Sequence, residues 1–418
     1  MGATDVAVSK DGNSLAAVND TGLYYFASNN PTPRWWYLEN SAEENFMSVA
    51  ISANGKYVIA GNNSQGSIYY FGSSGTRFGL QASNSFDWKS ANFAGFPTAD
   101  VERGTIDISD NGEYVAVGGT GEALYYFVDC STKTGPTETW DWTSYNAGYV
   151  HSIDMSADGR YVAVGGPISL TDTYGFVAFY KDANIQPYPT SHSWEAGALR
   201  TIDEIEEVAV SDDGYAVAAV SPILLGTLYY WANAANLSGN PVPTWNSSSP
   251  YACVDTSADG DLVVAGKPVF YACGIHFWAN ARSLTGADLL ENWQRHEGEN
   301  IPDVKISEDG AIIAGAASMY VDDVEEFWAY FYTSNGISLG EYQLDSLCTR
   351  VSMSGDGGIV AVGGAVFDSL YVFSLESHPV GGEIIGLDFL QMLTPFLICS
   401  ALIIAGVAAT TLARRRNH

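Results

Sequence analysis

The residues with the chemistry to bind or catalyse are few and scattered. Six histidines (His151, His192, His276, His296, His378 and His418) include no two at metal-ligand spacing, and HExxH is absent, so a catalytic zinc has no sequence support. No Ser/His/Asp order stands out and no nucleophile elbow is recognised, so acyl-transfer chemistry is not expected. Of the five cysteines, Cys399 lies in an apolar C-terminal run. Cys130, Cys253, Cys273 and Cys348 are never at CxxC spacing; they are read either as disulfide partners of an exterior domain or as buried free thiols. Three segments, starting at Asp107, Asp154 and Asp255, read Asp-x-Ser-x-Asp/Asn-Gly. They copy the opening of an EF-hand loop, but glycine stands where its bidentate glutamate belongs, so they are expected to be structural turns.

These segments belong to a repeat. Ser-x-Asp/Asn-Gly recurs eight times, with its serine at Ser9, Ser52, Ser109, Ser156, Ser211, Ser257, Ser307 and Ser354, a spacing of roughly 49 residues that suits one four-stranded propeller blade. A short Val/Ile-rich strand precedes each tetrad, and the Asp/Asn-Gly pair supplies the positive φ of a tight hairpin. A second strand follows, as in YVAVGG from Tyr114. An aromatic third strand comes next, as in LYYF from Leu23 or LYYW from Leu228. A fourth carries tryptophan near Trp35, Trp88, Trp140, Trp194, Trp245 and Trp293. Both faces of these strands are apolar, as sheets sandwiched between neighbours require. The expected architecture is an all-β, eight-bladed propeller of four-stranded antiparallel blades over residues 1–386. The first strand begins within about four residues of Met1, so the last blade is expected to find its fourth strand locally, at Gly381 to Gly386.

Aligned on the tetrad, the residue two before the serine is Ala7, Ala50, Asp107, Asp154, Ala209, Asp255, Lys305 and Ser352. Asp107, Asp154, Asp255 and Lys305 therefore sit beside the axial channel or in the blade interfaces. There they must be hydrogen-bonded, paired or metal-bound. Two readings follow. In one, groups of adjacent blades satisfy them; in the other they form an axial site for a cation, Ca²⁺ included, or a polar ligand, with shifted pKa values. Loops 72–86, 129–138 and 181–193 vary between blades and are candidates for partner binding.

The repeat resembles those of WD-repeat and quinoprotein-like propellers over about residues 4 to 386. The Trp-Asp and Gly-His pairs of WD repeats are largely absent. The tryptophan-bearing fourth strands look like the docking repeats of quinoproteins, which implies a pyrroloquinoline-quinone dehydrogenase as the enzyme alternative. The vicinal disulfide of that family is missing, since no two cysteines are adjacent. The preferred reading is no enzyme and no cofactor. It is a binding or scaffold module with a protein or glycan partner, or an accessory subunit of a membrane complex.

From Phe389 to Ala413 run 25 uncharged residues that include Pro395 and Leu402, followed by Arg414, Arg415 and Arg416. The expectation is a transmembrane helix over 387–413 and a basic tail over 414–418. Charge bias places the tail in the cytoplasm and the ring outside, and sequons at Asn19, Asn62, Asn236 and Asn246 are compatible with that. The opening MGATDVAVSKDG is not a signal peptide, so an exterior ring implies a processed or shortened N-terminus. The alternative is a tail-anchored scaffold with a cytosolic ring. Forty-eight acidic residues against 18 basic ones, a net charge of −30, make nucleic-acid binding improbable. Acidity, scarce lysine and an exterior ring resemble archaeal surface proteins.

Overall fold

The computed structural model describes residues 3–375 except 28–29, 39–44, 63–66, 82–84, 91–104, 119–122, 136–140, 146–148, 168–173, 200–203, 223–225, 269–273, 297–298, 322–323 and 364–368. Each tetrad folds for the same local reason. Ser9 Oγ donates to Asp11 Oδ1 and accepts the Ser14 N–H, while Asp11 Oδ1 also accepts the Asn13 N–H. The serine and the acid thus supply the bonds that the reversing backbone lacks. Glycine follows because φ at this position is 66–76° in all eight tetrads, a conformation that a Cβ disfavours.

The strands on either side pair as antiparallel meanders. Blade 1 is Asp5–Val8, Ser14–Asn19, Gly22–Ala27 and Trp35–Leu38, in that spatial order. Six further four-stranded blades follow, and the eighth has three described strands, Arg350–Met353, Ile359–Gly363 and Leu370–Ser374. In blade 2 a short strand in the third connection, Gly79–Gln81, leaves its own blade and pairs in parallel with the outer edge of blade 1. The fourth strand of blade 3 is Trp142–Tyr145, with Trp142 opposite Tyr126. Trp142 therefore fills the place expected of Trp140, which lies outside the described residues.

The core is distributed. Eight apolar clusters each combine one face of a blade with the facing side of the next, and the eighth joins blade 8 to blade 1 through Ala361, Leu370, Val6 and Leu15. No blade has a core of its own, which explains why both strand faces are apolar. Hydrogen bonds tie the blades at three radii. Nearest the axis, the backbone N–H of the second tetrad residue donates to the carbonyl of the second tetrad residue one blade on. These bonds run from Ala53 to Asp110 and onward to Glu308 and Gly355, and Gly355 donates to Lys10; in blade 1 the donor is Asp11. All eight bonds are 2.8–3.2 Å, so this belt closes on itself. At mid-radius the hydroxyls of Tyr25, Tyr70, Tyr126 and Tyr230 donate to the tetrad glycine carbonyl of the next blade at 2.5–2.9 Å.

Outermost, the indole N–H groups of Trp35, Trp88, Trp142, Trp194, Trp245 and Trp293 each donate, at 2.8–2.9 Å, to a carbonyl in the third connection of the following blade. Each indole also stacks on an aromatic ring of its own third strand, centroids 5.0–5.4 Å apart. The six tryptophans are therefore docking ties between blades 1 to 7.

Residues 376–418 lie outside the described residues. They include the strand expected at Gly381 to Gly386, the expected helix with Phe389, Pro395, Leu402 and Ala413, and the arginines Arg414, Arg415 and Arg416. No helix among the described residues is long and apolar enough to cross a membrane. Cys130, Cys253 and Cys348 are buried free thiols, whereas Cys273 is outside the description.

Candidate functional site

A cavity of about 250 Å³ runs along the axis, walled by the innermost strand of every blade. Six carboxyl side chains (Asp5, Asp107, Asp154, Glu207, Asp255 and Asp303) and two cations, Lys305 and Arg350, line it. They occupy two levels. Asp107, Asp154, Asp255 and Lys305 stand two residues before the tetrad serine. Asp5, Glu207, Asp303 and Arg350 stand four before it.

Innermost strands have one unpaired edge, and the carboxyls serve that edge. Side chains at both levels point toward the next blade. From the lower level, Asp154 Oδ2 accepts the Val210 N–H at 2.5 Å and Asp255 Oδ2 that of Ile306 at 2.8 Å. From the upper level, Asp5 Oδ2, Glu207 Oε2 and Asp303 Oδ2 accept those of Val49, Val254 and Val351, each at 2.9 Å. Ser152 and Ser352 do the same for Val208 and Val8. Strand amides of the next blade therefore hold one oxygen each of Asp154, Asp255, Asp5, Glu207 and Asp303.

The four residues singled out from sequence do line one cavity, but they divide into two pairs. Asp107 and Asp154 act on each other electrostatically, and burial raises both pKa values, Asp154 further because of the Asp107 charge. Two facing carboxyls in a dry wall share a proton more readily than they both ionise. Asp255 faces Lys305, its Oδ1 4.0 Å from Nζ. Burial raises the Asp255 pKa against the pull of the ammonium. Burial acts to lower that of Lys305, but the charges of Asp255, Glu207, Asp303 and Asp154 outweigh it and leave it raised. One level up, Arg350 Nε is 3.8 Å from Asp5 Oδ1.

At the tetrad end the channel is stoppered. Lys10 Nζ lies 3.0, 3.0 and 2.6 Å from carboxylate oxygens of Asp110, Asp212 and Glu308. All four are the second residue of a tetrad, in blades 1, 3, 5 and 7; Ala53, Ala157, Ala258 and Gly355 hold that place in the even blades. Alternate small residues leave room for one lysine to reach three acids across the axis.

The same tetrad alignment, read two residues further upstream and inside the tetrad itself, carries the signal for Asp5, Glu207, Asp303, Arg350 and the Lys10 cluster. Two groups of three potential metal ligands have their donor atoms within 4.8 Å of one another among the described residues: His151 with Glu204 and Glu206, and Glu207 with Cys253 and Asp303. Neither is the Asp107, Asp154 and Asp255 set, and neither follows from local spacing, because ligands come from different blades. A GxSxG string does occur, at Gly336 to Gly340, but it leads into the edge strand Ser338–Leu344. A nucleophile elbow needs a strand-to-helix turn, and none is present there.

Blade number, antiparallel meanders and the tetrad hairpins make the chain an eight-bladed β-propeller with a WD40-type fold. Among solved structures it is similar to Sqt1 from Chaetomium thermophilum at 13% identity and a TM-score of 0.60, over 89% of this chain and 96% of that one. It is similar also to the C-terminal WD40 domain of Sif2 (11%, TM-score 0.58, 86% and 92%) and to the Dos1 propeller (13%, TM-score 0.56, 92% and 94%). A further structure holds Sqt1 bound to the N-terminus of the ribosomal protein L10 (14%, TM-score 0.59, 88% and 96%). No protein-family model and no curated protein matches the chain. At these identities the likeness is one of fold.

Proposed function

We propose that the chain is a membrane-anchored, non-catalytic binding module: a rigid ring that presents its outer rim to a protein partner. The observation that carries this reading is the placement of its exposed large apolar side chains. Six of the seven among the described residues, Phe78 and Leu80 in blade 2, Ile185 in blade 4, Val242 in blade 5, Leu290 in blade 6 and Ile337 in blade 7, lie in third connections, whereas Tyr174 lies in the second connection of blade 4. Val242 and Leu290 are 85% and 87% exposed. Side chains of this kind on otherwise well-packed turns suit a protein contact. Two of the three loops singled out from sequence, 72–86 and 181–193, contain members of the set. The capture of a ribosomal-protein segment by Sqt1 supports the idea that such a ring takes a protein ligand.

The anchor rests on the uncharged run from Phe389 to Ala413 and on the arginines behind it, whose charge bias directs the ring outward. In that orientation Asn236 is an exposed sequon open to glycosylation, Asn19 and Asn246 are half-buried, and Asn62, fully buried, is closed to it. Purification of the full chain in mild detergent beside a Phe78→Ser/Val242→Ser/Leu290→Ser/Ile337→Ser variant tests the rim. A protein that accompanies the first and is lost from the second supports the proposal; identical company in both overturns it. Alkaline extraction of membranes tests the anchor: wild type stays in the pellet and Leu402→Arg is released. Release of both rules the anchor out.

A further inference from the structure

We infer that the channel wall carries a transition-metal site of the zinc class, made by Glu207, Cys253 and Asp303. These residues hold one register position, four before the tetrad serine, in the consecutive blades 5, 6 and 7. One ligand atom from each lies within 4.8 Å of the others, so a single ion reaches all three with small side-chain movements.

The independent sign of a ligand is Asp303. The residue is only 4% exposed, and while Oδ2 accepts the Val351 N–H, Oδ1 is buried with no hydrogen-bond partner. A buried acceptor left unsatisfied is costly, and a cation between Asp303, Cys253 and Glu207 removes that cost. Of the two cations of the channel, Lys305 stands nearest Asp255 and feels the charges of Glu207 and Asp303 without hydrogen-bonding Asp303 Oδ1, and Arg350 Nε faces Asp5. The Glu207 and Asp303 carboxylates are held by strand N–H groups at 2.9 Å, the outer support that orients metal ligands. Cys253 is fully buried opposite Gly266, where an added Cβ would stand 2.5 Å from Sγ; glycine there leaves the sulfur its place. Glu207 and Asp303 also line the axial cavity, which gives an ion its way in.

The donor set chooses the metal. Two carboxylate oxygens and one sulfur are too few and too soft for Ca²⁺, which takes six to eight oxygens, and they suit Zn²⁺ with water in a fourth, tetrahedral place. The thiol, whose Sγ now lies 3.6 Å from the Ile301 carbonyl, gives its proton to solvent as the Zn–S bond forms. Affinity therefore rises with pH. The ion would pin three consecutive blades at the hub.

Titration of the full-length protein with Co²⁺ as a spectroscopic probe tests the site. The expected result is a sulfur-to-cobalt charge-transfer band that Zn²⁺ abolishes, that Cys253→Ser eliminates and that Cys348→Ser leaves intact. Asp303→Asn, which keeps the shape of the side chain, is expected to weaken Co²⁺ binding at least about tenfold and carries the test should Cys253→Ser fail to fold. Absence of the band in wild type, its survival in a folded Cys253→Ser, or unchanged affinity in Asp303→Asn overturns the assignment.

Discussion

At the scale of single residues, the channel stores protons. Asp107 and Asp154 titrate above an unfolded carboxylate because burial opposes their charge. The folded chain therefore holds more protons than the unfolded chain once pH exceeds the ordinary value of about 4. Stability from this pair is complete below that value and is lost as pH climbs through the raised folded values. Thermal midpoints measured from about pH 5 to about pH 8 are expected to fall in wild type and to fall less steeply in Asp154→Asn, which keeps an acceptor for the Val210 N–H. Lys10 makes the converse case. Its replacement by methionine leaves Asp110, Asp212 and Glu308 facing one another. Because these side chains are more than a third exposed, solvent screening limits the loss to about 1 kcal/mol. Urea unfolding is expected to show that loss at low salt and less of it at high salt. Sequence made Asp107, Asp154, Asp255 and Lys305 legible because a charge among valines breaks a pattern. It did not disclose that Asp107 pairs with Asp154 and not with Asp255, since pairing depends on the angle between blades.

At the scale of elements, the tetrad and the tryptophan strand do different work. The tetrad was readable because its bonds are local: serine, acid and glycine act within five residues of one another. The tryptophans were readable as a recurrence but not as ties, because each indole finds its acceptor about 40 residues later, in another blade. Trp142 was missed for the same reason. Trp140 and Trp142 differ by one strand period, and only the register against Tyr126 decides between them. The two outer ties differ in strength. Tyr126→Phe removes one hydroxyl bond to the Gly159 carbonyl and is expected to cost about 1 kcal/mol. Trp142→Ala removes the stacked indole and its bond to Ala183 together, and about 3–5 kcal/mol is expected. Denaturant midpoints of the two variants give the comparison directly.

At the scale of the whole molecule, the seam on either side of blade 8 is the part of the ring that carries no indole tie among the described residues. Toward blade 1 it has the inner belt bond from Gly355 to Lys10, the Ser352 bond to Val8, the Arg350–Asp5 ion pair and an apolar cluster, and toward blade 7 the belt bond from Glu308, the Asp303 bond to Val351 and another apolar cluster. The indole ties described run only from blades 1 through 6 to their successors. In amide hydrogen exchange, Glu308 and Gly355, whose N–H groups hold the belt bonds across that seam, are therefore expected to lose protection before Ala157 and Asp212, which hold the equivalent bonds across the ring. Equal protection at all four would mean that the seam opens only with the entire ring. The count of eight blades was plain from the repeat; the order of weakness among their junctions was not, because it rests on where the ties stop.

The belt of backbone bonds at the hub has a further property. Every donor faces the same rotational sense, and the last returns to the first. The peptide dipoles around the axis thus form a closed circuit with no head and no tail. Only the step of the donor from the second to the third tetrad residue sets blade 1 apart in that circuit, so the hub would accept a chain entered at any blade, and permuted genes of this ring should differ in their rims and leave their centre alike.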